Sequence, residues 1–541
     1  MQKMFRVGNS GVAVLLAVVV FLLLVSTAPK IGLTWDEPDY IAAAKSYMGW
    51  YGQVFTQPGE AFREHSITQA WSVNKEHPPL DKVWSGVFWV LTRSLTDDLT
   101  AHRIGNMLLV AILAGLLYAL VAENYGRVAG LASVAALMSM PRFFFHSHLA
   151  ALDVPAAFSV FVVTFVFWKT LGRKGWAWGT LLGLVWGLAL ATKINAIFLP
   201  ITLGAWWLIA RRDLKIVRRL VVMGLVAVPV FVVIWPWLYV DGAAHLGEYL
   251  WFVTVGHWEI GQYYFGQFYM PPPWHFGFVM TWAVLPLTLT ALYITGIVRT
   301  RKPRQDGGLG LLLLLSALTP ILAISIGQSM VYDNERLIMA TFPFLAALAG
   351  IGFDWIVSGW KKLSERWGRP LVSRIGAIGL VALAFIPQTV SMLRLYPHLL
   401  SYYGEGVDGL RGATALGLET TYWCESYSLA LPIINELAEP GDTVWADPWS
   451  HNVLIYYQML GRLRDDVLIL APQEVPSVFG LDAPQPRVRP MDTADWFIQQ
   501  HRQSAYGFEG ENSEIFRVLR GKKVVFEYDF NGVPILTLRK Q

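Results

Sequence analysis

The chain has 541 residues, of which 54% are hydrophobic and only 15% are charged. Because a soluble domain carries about 25% charged residues, this composition excludes an ordinary soluble protein and indicates a polytopic protein of a lipid bilayer. The formal net charge of +4 is too small to be informative by itself, and we expect no nucleic-acid partner. The single cysteine, Cys424, excludes an intramolecular disulfide framework and any metal site built from several cysteines.

Eleven apolar segments are predicted to span the membrane, since a spanning helix needs about 20 mostly apolar residues, or somewhat fewer where flanking side chains snorkel. The first segment resembles a signal peptide, but it is long enough to span, so we interpret it as an uncleaved helix. The predicted spans are 11–28, 104–121, 128–141, 153–169, 176–191, 196–210, 220–239, 276–298, 309–326, 337–357 and 374–391.

Basic residues fall in alternate loops and give the orientation. Five basic loops share the side of Lys3 and Arg6, and the positive-inside rule places that side in the cytoplasm. Eleven spans that start inside end outside, which predicts a multi-pass protein of the plasma or inner membrane with a cytoplasmic N-terminus. The basic residues of these loops are Arg127; Lys169, Arg173 and Lys174; Arg211, Arg212, Lys215, Arg218 and Arg219; Arg299, Arg301, Lys302 and Arg304; and Lys361, Lys362, Arg366 and Arg369.

Two of the predicted outer segments are long. The first outer loop, 29–103, contains an apolar stretch at 84–95 that is too short to span and is expected to lie on the membrane surface. After residue 391 the composition changes, and we predict a transmembrane domain over 1–391 and a small extracytoplasmic α/β domain over 392–541. Its predicted elements are strands at 443–446 and 466–470, helices at 452–460 and 494–500, and a hairpin of 524–528 with 534–538 around Asn531-Gly532.

Ionisable residues gather at the outer ends of the predicted spans. Asp36, Glu37 and Asp39 directly follow the first span, and a carboxylate is costly inside lipid, so acids at a membrane edge are site candidates. By itself this stretch could equally be a solvated charged loop. Together with the other outer loops it predicts one cavity at the outer leaflet boundary with both acids and bases. The members from those loops are Lys75, Glu76, His77, His102, Arg103, His146, His148, Asp153, Lys193, Asn195, Glu335 and Arg336.

A cavity of this kind fits a lipid-linked sugar phosphate, whose phosphate lies at the headgroup level while its chain lies in the bilayer. Arginine and lysine bind the phosphate and stabilise the charge that develops on it as it leaves. A carboxylate can remove the proton from an attacking hydroxyl.

Several short motifs resemble those of the type-C glycosyltransferases, in the branch of protein O-mannosyltransferases and aminoarabinose transferases. The first is Trp35-Asp36-Glu37-Pro38, which resembles the first-loop acidic motif. The others follow in the family's order over roughly residues 1–400. They are Glu76-His77-Pro78-Pro79-Leu80, His102-Arg103-Ile104, the segment 148–155, the segment 187–193, Pro272-Pro273-Trp274-His275, Asn334-Glu335-Arg336 and Phe342-Pro343-Phe344. Residues 392–541 contain no catalytic motif of the family.

The resemblance implies a mainly α fold and an inverting transferase that takes a hexose or pentose from a polyprenyl-phosphate donor. It implies that Asp36 is the general base, that Glu37 positions Asp36 or the acceptor, and that Asp153 is a second acid near the acceptor or the sugar. The donor phosphate or the substrate would be bound by a further set. These residues are Arg103, which could instead orient the acidic loop, Lys75, His77, Lys193, Glu335 and Arg336. The family's lysine before Pro-Pro is His77 here, and Lys75 could substitute for it.

Metal use and alternative functions stay open at this point. The first motif, Asp36-Glu37, is more like that of the metal-independent branch, so we expect no cofactor, although carboxylates could hold Mg²⁺ or Mn²⁺. The acceptor could be a lipid, a protein or a glycan. A secondary transporter or lipid-phosphate flippase could use the same charged cavity, but the chain shows no clear inverted repeat. A non-catalytic scaffold would leave the acids unexplained.

Overall fold

The structure is a computed structural model that describes residues 8–302, 306–326, 330–366 and 370–541. These residues form a helical bundle with a small mixed sheet at one end. The α-helices are, in chain order, α1 (Asn9–Thr27), α2 (Glu37–Thr56), α3 (Pro58–Ala61), α4 (Glu64–Trp71), α5 (Leu80–Thr92), α6 (Asp98–Tyr125), α7 (Arg127–Met138), α8 (Pro141–His146), α9 (Asp153–Thr170), α10 (Ala177–Thr192), α11 (Leu199–Trp206), α12 (Leu214–Ile234), α13 (Gly242–Thr254), α14 (Phe276–Ala283), α15 (Leu287–Arg299), α16 (Leu309–Ile326), α17 (Phe342–Arg366), α18 (Pro370–Leu395), α19 (Gly409–Ala415), α20 (Leu431–Leu437), α21 (His451–Met459) and α22 (Glu514–Leu519).

Eight helices of the described chain are long and apolar enough to cross a membrane, and they contain α1, α6, α9, α11, α12, α16, α17 and α18. The pair α14 and α15 makes a ninth if it is counted as one span, and it is bent by 118° at a break that ends in Pro286. Proline lacks the N–H that a continuous helix needs there. The shorter apolar helices α7 and α10 complete a one-to-one match with the eleven predicted segments.

The basic loops meet at one end of the bundle. The α6 helix starts at Asp98 and runs for 28 residues to Tyr125, so its two ends lie about 42 Å apart at 1.5 Å per residue. Near its C-terminal end, Arg219 Nη1 donates to the Thr170 carbonyl at 2.5 Å, and a cavity is lined by Tyr125, Arg299 and Lys362. The candidate acids lie towards the other end of α6. Lys3, Arg6, Arg304 and Arg369 of the predicted basic set lie outside the described residues.

The sheet is built mainly from the last hundred residues. A separate hairpin pairs β1 (Gln262–Tyr264) with β2 (Gln267–Tyr269). The main sheet has the order β5-β4-β3-β6-β8-β7, in which β3 to β6 are parallel and β8 is antiparallel to both of its neighbours. The strands are β3 (Thr443–Asp447), β4 (Leu468–Ala471), β5 (Arg487–Val488), β6 (Trp496–Gln500), β7 (Lys523–Phe530) and β8 (Val533–Lys540).

Most predicted elements of this region are present, but one is wrong. The hairpin of β7 and β8 turns at Asn531 and Gly532, which both have positive φ (54° and 77°), as a tight two-residue turn requires. The segment 494–500, predicted as a helix, instead contains β6, whose five residues are all buried between β3 and β8. A short apolar run does not reveal by periodicity whether it is a buried strand or a buried helix. The domain boundary at residue 391 stays a prediction.

The sheet region and the first loop approach each other closely. Trp35 N donates to the Trp423 carbonyl at 2.9 Å, and Leu33 N donates to the Tyr457 hydroxyl at 2.7 Å. A Cβ added to Gly32 would lie 2.0 Å from the Glu425 carbonyl oxygen. Only glycine therefore permits this approach, which fixes the entry to the acidic loop.

Candidate active site

The acidic loop is fixed by a buried ion pair. Arg103 of α6 donates to Glu37 through Nε at 2.7 Å and through Nη2 at 2.6 Å, and both side chains are almost completely buried. Glu37 also accepts hydrogen bonds from Thr34 and from the Ala150 amide at 2.9–3.0 Å. Arg103 uses its other groups on the carbonyls of Ile31 and Gly32. The charges of both residues are thus satisfied inside the protein.

This geometry decides between the roles predicted for the pair. Arg103 is enclosed and aims at the loop, so the structure favours loop orientation and provides no surface on Arg103 for a donor phosphate. Glu37 is in contact with Arg103. These contacts favour the positioning role among the roles predicted for Glu37, and its part in catalysis stays a prediction.

Arg336 connects three carboxylates at the polar end of the bundle. Its Nη2 donates to Asp36 at 2.6 Å, its Nε to Asp153 at 3.1 Å, and its Nη1 to Asp333 at 2.5 Å. The guanidinium carbon lies 3.8 Å from the ring centre of Trp423. These contacts from four directions hold the guanidinium in one orientation.

Asp36 is the most accessible acid of this group. Its side chain is 25% exposed, whereas that of Asp153 is 1% exposed. The Asp36 contacts to Arg336 and to the Tyr40 hydroxyl both use Oδ2, and Oδ1 has no hydrogen bond to the residues that the structure describes. Asp36 therefore keeps one carboxylate oxygen for a ligand.

Asp153 and Lys193 lie on the wall of a large cavity. Lys193 Nζ donates to Asp153 Oδ1 at 2.6 Å, which leaves two of its three hydrogens for other acceptors. The cavity has a volume of about 530 Å³, and His77, Arg336 and Tyr332 also line it. The rest of its wall is mainly apolar and includes Ala156, Val160, Leu199, Leu250, Val253, Ile324 and Leu337. One end is thus charged and the remainder could accommodate a hydrocarbon chain.

His77 lines this cavity as a neutral side chain. Burial, together with the nearby cations Lys82 and Lys193, holds the pKa of His77 well below its usual value. A neutral imidazole can donate a hydrogen bond to a phosphate but cannot supply a positive charge. Lys75, predicted as a substitute, forms a half-exposed ion pair with Glu248 at 2.6 Å and is not part of the cavity wall that the structure describes. The structure thus places Lys75 apart from Lys193 and Arg336, and a phosphate contact by Lys75 stays a prediction.

Glu335 belongs to a separate closed network. It accepts from Arg142 Nη1 at 2.5 Å and from the Tyr422 hydroxyl at 2.8 Å, and it is fully buried. His146 lies 3.9 Å from it, and burial lowers the pKa of His146 to about 3. Glu335 thus holds the turn before Arg336 in place, and both of its oxygens have partners inside the protein; its predicted substrate contact stays a prediction.

Two other predicted histidines are structural. His102 is buried beside Ser85 and stacks on Trp89 with a ring separation of 5.4 Å. His148 bonds the Thr27 hydroxyl of α1 at 2.8 Å, and burial lowers its pKa to about 4. Both residues join helices near the site and do not face the cavity.

Four residues of the site were not found by sequence reasoning. Asp333 and Tyr332 precede the predicted Glu-Arg motif, and Trp423 and Arg502 come from the region after residue 391. Arg502 Nη2 lies 2.7 Å from Asp333 Oδ1, so the C-terminal region contributes a charge to the same network. Asp333 could have been suggested by its position three residues before Arg336. Nothing in the local sequence pointed to Arg502.

Asp39 completes the acidic surroundings. Burial, reinforced by the negative charges of Asp36 and Glu76, raises the pKa of Asp39 to about 7.

Within the described ranges, no group of three or more His, Cys, Asp or Glu side chains has the geometry to hold a metal ion.

Comparisons with known proteins match this architecture. The family model of dolichyl-phosphate-mannose-protein mannosyltransferases matches residues 76–239. The structure of ArnT from Cupriavidus metallidurans bound to undecaprenyl phosphate superposes with a TM-score of 0.54 at 17% identity, covering 98% of this chain and 98% of that chain. Its apo state gives a TM-score of 0.54 at 16% identity, covering 98% and 97%. The chain has the type-C glycosyltransferase fold.

The predicted resemblance and fold class are thereby confirmed, namely a polytopic helical membrane protein with a small C-terminal sheet domain. The archaeal oligosaccharyltransferase AglB from Archaeoglobus fulgidus, in complex with an inhibitory peptide and a dolichol-phosphate, gives a TM-score of 0.47 at 10% identity, covering 96% of this chain and 74% of that chain. No curated protein matches the chain significantly.

Proposed function

We propose that this protein is a membrane glycosyltransferase that moves a sugar from a polyprenyl-phosphate donor to an acceptor. The observation that carries this proposal is the Asp36–Arg336 ion pair, whose arginine lines a mainly apolar cavity together with Lys193. The family description names a mannosyltransferase, and the ArnT structure of the same fold holds undecaprenyl phosphate, which supports a donor of this class.

The donor fits the cavity in one direction. Its hydrocarbon chain would occupy the apolar part, and its phosphate would meet the two free hydrogens of Lys193 and the remaining N–H groups of Arg336. Both side chains are already held by Asp153, so little conformational entropy is lost when the phosphate binds. His77 could donate one further hydrogen bond.

The reaction needs a base, and Asp36 is the more exposed member of the Asp36–Arg336 ion pair. The acceptor hydroxyl oxygen would attack C1 of the sugar, Asp36 Oδ1 would take the hydroxyl proton, and the bond between C1 and the phosphate oxygen would break. The phosphate leaves with its electron pair, and Lys193 and Arg336 stabilise its charge. Attack opposite the leaving phosphate inverts the configuration at C1.

Arg336 also bears on metal use. Three carboxylates, Asp36, Asp153 and Asp333, converge on its guanidinium, which supplies the positive charge between them. We propose that transfer does not need a divalent cation such as Mg²⁺ or Mn²⁺. Orientation follows the basic loops, and we place the active site and the C-terminal domain on the extracytoplasmic face.

The test is transfer of a labelled sugar from a polyprenyl-phosphate lipid fraction in proteoliposomes, with and without EDTA. We expect Asp36→Asn to lower the transfer rate by about 10²- to 10⁴-fold, because a general base contributes that much. Asp482→Asn, the same change at an exposed acid, is the control. Undiminished transfer by Asp36→Asn would contradict the role of the base, and movement of the lipid without a covalent product would indicate a flippase.

A further inference from the structure

The C-terminal sheet has a point at which the strand order reverses. From β3 the chain continues to β4 and then β5 on one side, and it returns to place β6 on the other side of β3. The connection that follows β3 and the connection that follows β6 therefore lead towards opposite edges of the sheet. In open parallel sheets this arrangement opens a crevice at the carboxyl ends of the two strands, where ligands bind.

Polar side chains from both strands meet at this crevice. Asp447 ends β3 and lies in register with Gln499 of β6, so both side chains are on the same face of the sheet. Gln499 Nε2 donates to the Tyr506 hydroxyl at 3.2 Å. Two residues earlier on that face, Trp445 and Phe497 belong to a buried apolar cluster that forms the floor.

Four enclosed polar atoms here have no hydrogen-bond partner among the described residues. They are Asp447 Oδ2, Trp449 Nε1, His451 Nε2 and Gln499 Oε1. The Gln499 residue is 1% exposed, while Asp447 and Trp449 are half-buried. Each such atom costs about 1–3 kcal/mol when it stays unpaired, so four of them at one strand edge indicate a ligand.

The chemistry of these groups selects the ligand. The Trp449 and His451 rings stack with centres 4.8 Å apart, so this edge carries an aromatic stack. A carboxylate and an amide oxygen beside it accept hydrogen bonds from hydroxyls, and the indole N–H donates one. An aromatic face with a few such polar groups suits a pyranose ring, which has one apolar face and a rim of hydroxyls.

We propose that the edge formed by Asp447, Trp449, His451 and Gln499 binds a pyranose unit of a glycan. The N-terminus of α21, which begins at His451, is the alternative site for an anion. The carboxylate of Asp447 at the same edge disfavours an anion there. Binding at this edge does not require the transferase activity.

The carboxyl end of β6 leads towards the candidate active site, because Arg502, two residues beyond the strand, reaches Asp333 at 2.7 Å. Gln500 points to the face opposite Gln499 and donates to Glu425 at 2.7 Å. The crevice at the carboxyl ends of the strands is thus at the edge of the sheet from which the chain continues to the candidate site. A role of the bound glycan as the acceptor is a consequence that rests on the proposed function.

The test measures sugar binding by the full-length protein, in a detergent without a sugar headgroup and without any donor lipid. The probes are maltotriose, cellotriose, mannotriose and chitotriose, with inorganic phosphate in a separate arm, followed by saturation-transfer NMR and tryptophan fluorescence. We expect saturable binding of at least one trisaccharide. Trp449→Ala and Gln499→Leu should each weaken it by about tenfold or more.

Controls separate binding from folding. Trp176→Ala removes a tryptophan that is 77% exposed on the bundle and should leave binding unchanged. If Trp449→Ala does not fold, Trp449→Phe keeps an aromatic ring, removes the N–H and should still weaken binding. Binding of phosphate alone, no saturable binding of any trisaccharide, or equal binding by the Trp449 and Gln499 variants would overturn the proposal. None of these results depends on whether sugar transfer is observed.

Discussion

Asp36 and Glu37 are adjacent in the chain but have opposite surroundings. Glu37 is fully buried, and its two oxygens accept five hydrogen bonds, two from Arg103, two from Thr34 and one from the Ala150 amide. Asp36 keeps a free oxygen on an accessible side chain. One residue thus fixes the loop and the other stays accessible. The same kind of substitution tests the stability role of Glu37 and the proposed chemical role of Asp36.

Glu37→Gln should destabilise the protein strongly. The change keeps the side-chain volume but leaves the buried Arg103 without its carboxylate, and breaking a buried ion pair on one side costs about 3–5 kcal/mol. Thermal unfolding in detergent measures the loss. Asp482→Asn, at an exposed acid, should change the free energy of unfolding by no more than about 0.5 kcal/mol. Equal melting temperatures for Glu37→Gln and the parent would refute the structural role.

A second buried acid predicts how stability depends on pH. Asp81 is 2% exposed, and burial raises its pKa to about 8, although the Asn106 amide and the Lys82 ammonium act in the opposite direction. Between the usual value of 3.8 and about 8, the folded protein therefore binds more protons than the unfolded chain. Stability contributed by the protonated acid is present below pH 3.8 and is lost as the pH rises towards 8.

Asp81→Asn should reduce this pH dependence. The amide cannot ionise, so the fall in melting temperature between pH 5 and pH 8 should shrink by about 2 °C relative to the parent protein. Melting curves of both proteins at the two pH values are the measurement. A fall of the same size in both would show that Asp81 does not titrate in this range.

At the scale of elements, the site is assembled from the ends of helices. Asp36 precedes α2, Asp153 starts α9, Lys193 follows α10, and Arg336 starts the turn that leads into α17. Helix ends at one face of a bundle carry polar residues that lipid would exclude from the middle. The loops that connect these ends must then be held in place, and at Gly32 the backbone of Glu425 leaves no room for a side chain.

Gly32→Ala should therefore disturb the acidic loop. Its new Cβ would lie 2.0 Å from the Glu425 carbonyl oxygen, and overpacking of this kind costs about 1–3 kcal/mol. We expect a lower melting temperature and a lower rate of sugar transfer. Gly52→Ala is the matched control, since nothing lies within 4 Å of a Cβ there and α2 continues through it. The same behaviour in both variants would contradict the close approach.

At the scale of the whole molecule, the bundle and the sheet domain share one charge network. Arg336 and Asp333 of the bundle, Asp36 of the first loop and Arg502 of the C-terminal region are linked by ion pairs of 2.5–2.7 Å. The basic loops lie at the other end of α6. If the positive-inside rule holds, the site and the sheet domain are on the same, extracytoplasmic side of the membrane.

Cysteine labelling in intact cells tests this orientation. The native Cys424 is fully buried, so it should give little background. Asp482→Cys in the sheet domain should react with a membrane-impermeant maleimide, whereas Lys215→Cys in a basic loop should react only after permeabilisation. Both positions are exposed in the structure. The reverse pattern would invert the proposed topology.

The amino-acid sequence by itself determined the parts that depend on local composition. The length of the apolar segments predicted the eleven candidate spans, and Asn531-Gly532 predicted the hairpin, because each of these signals lies within one short stretch of the chain. The order of the short motifs along the chain predicted the fold. The set of polar residues near one face was also predictable, since lipid confines charges to the ends of spans.

Only the tertiary structure decided which of those polar residues face the cavity. Glu37, Arg103 and Glu335 look like site residues in sequence, yet they are satisfied by partners 66 to 193 residues away. Arg502 enters the network from the other end of the chain, and β6 is a strand because β3 and β8 pair with it. Such outcomes depend on long-range partners, and no local pattern in the chain encodes them.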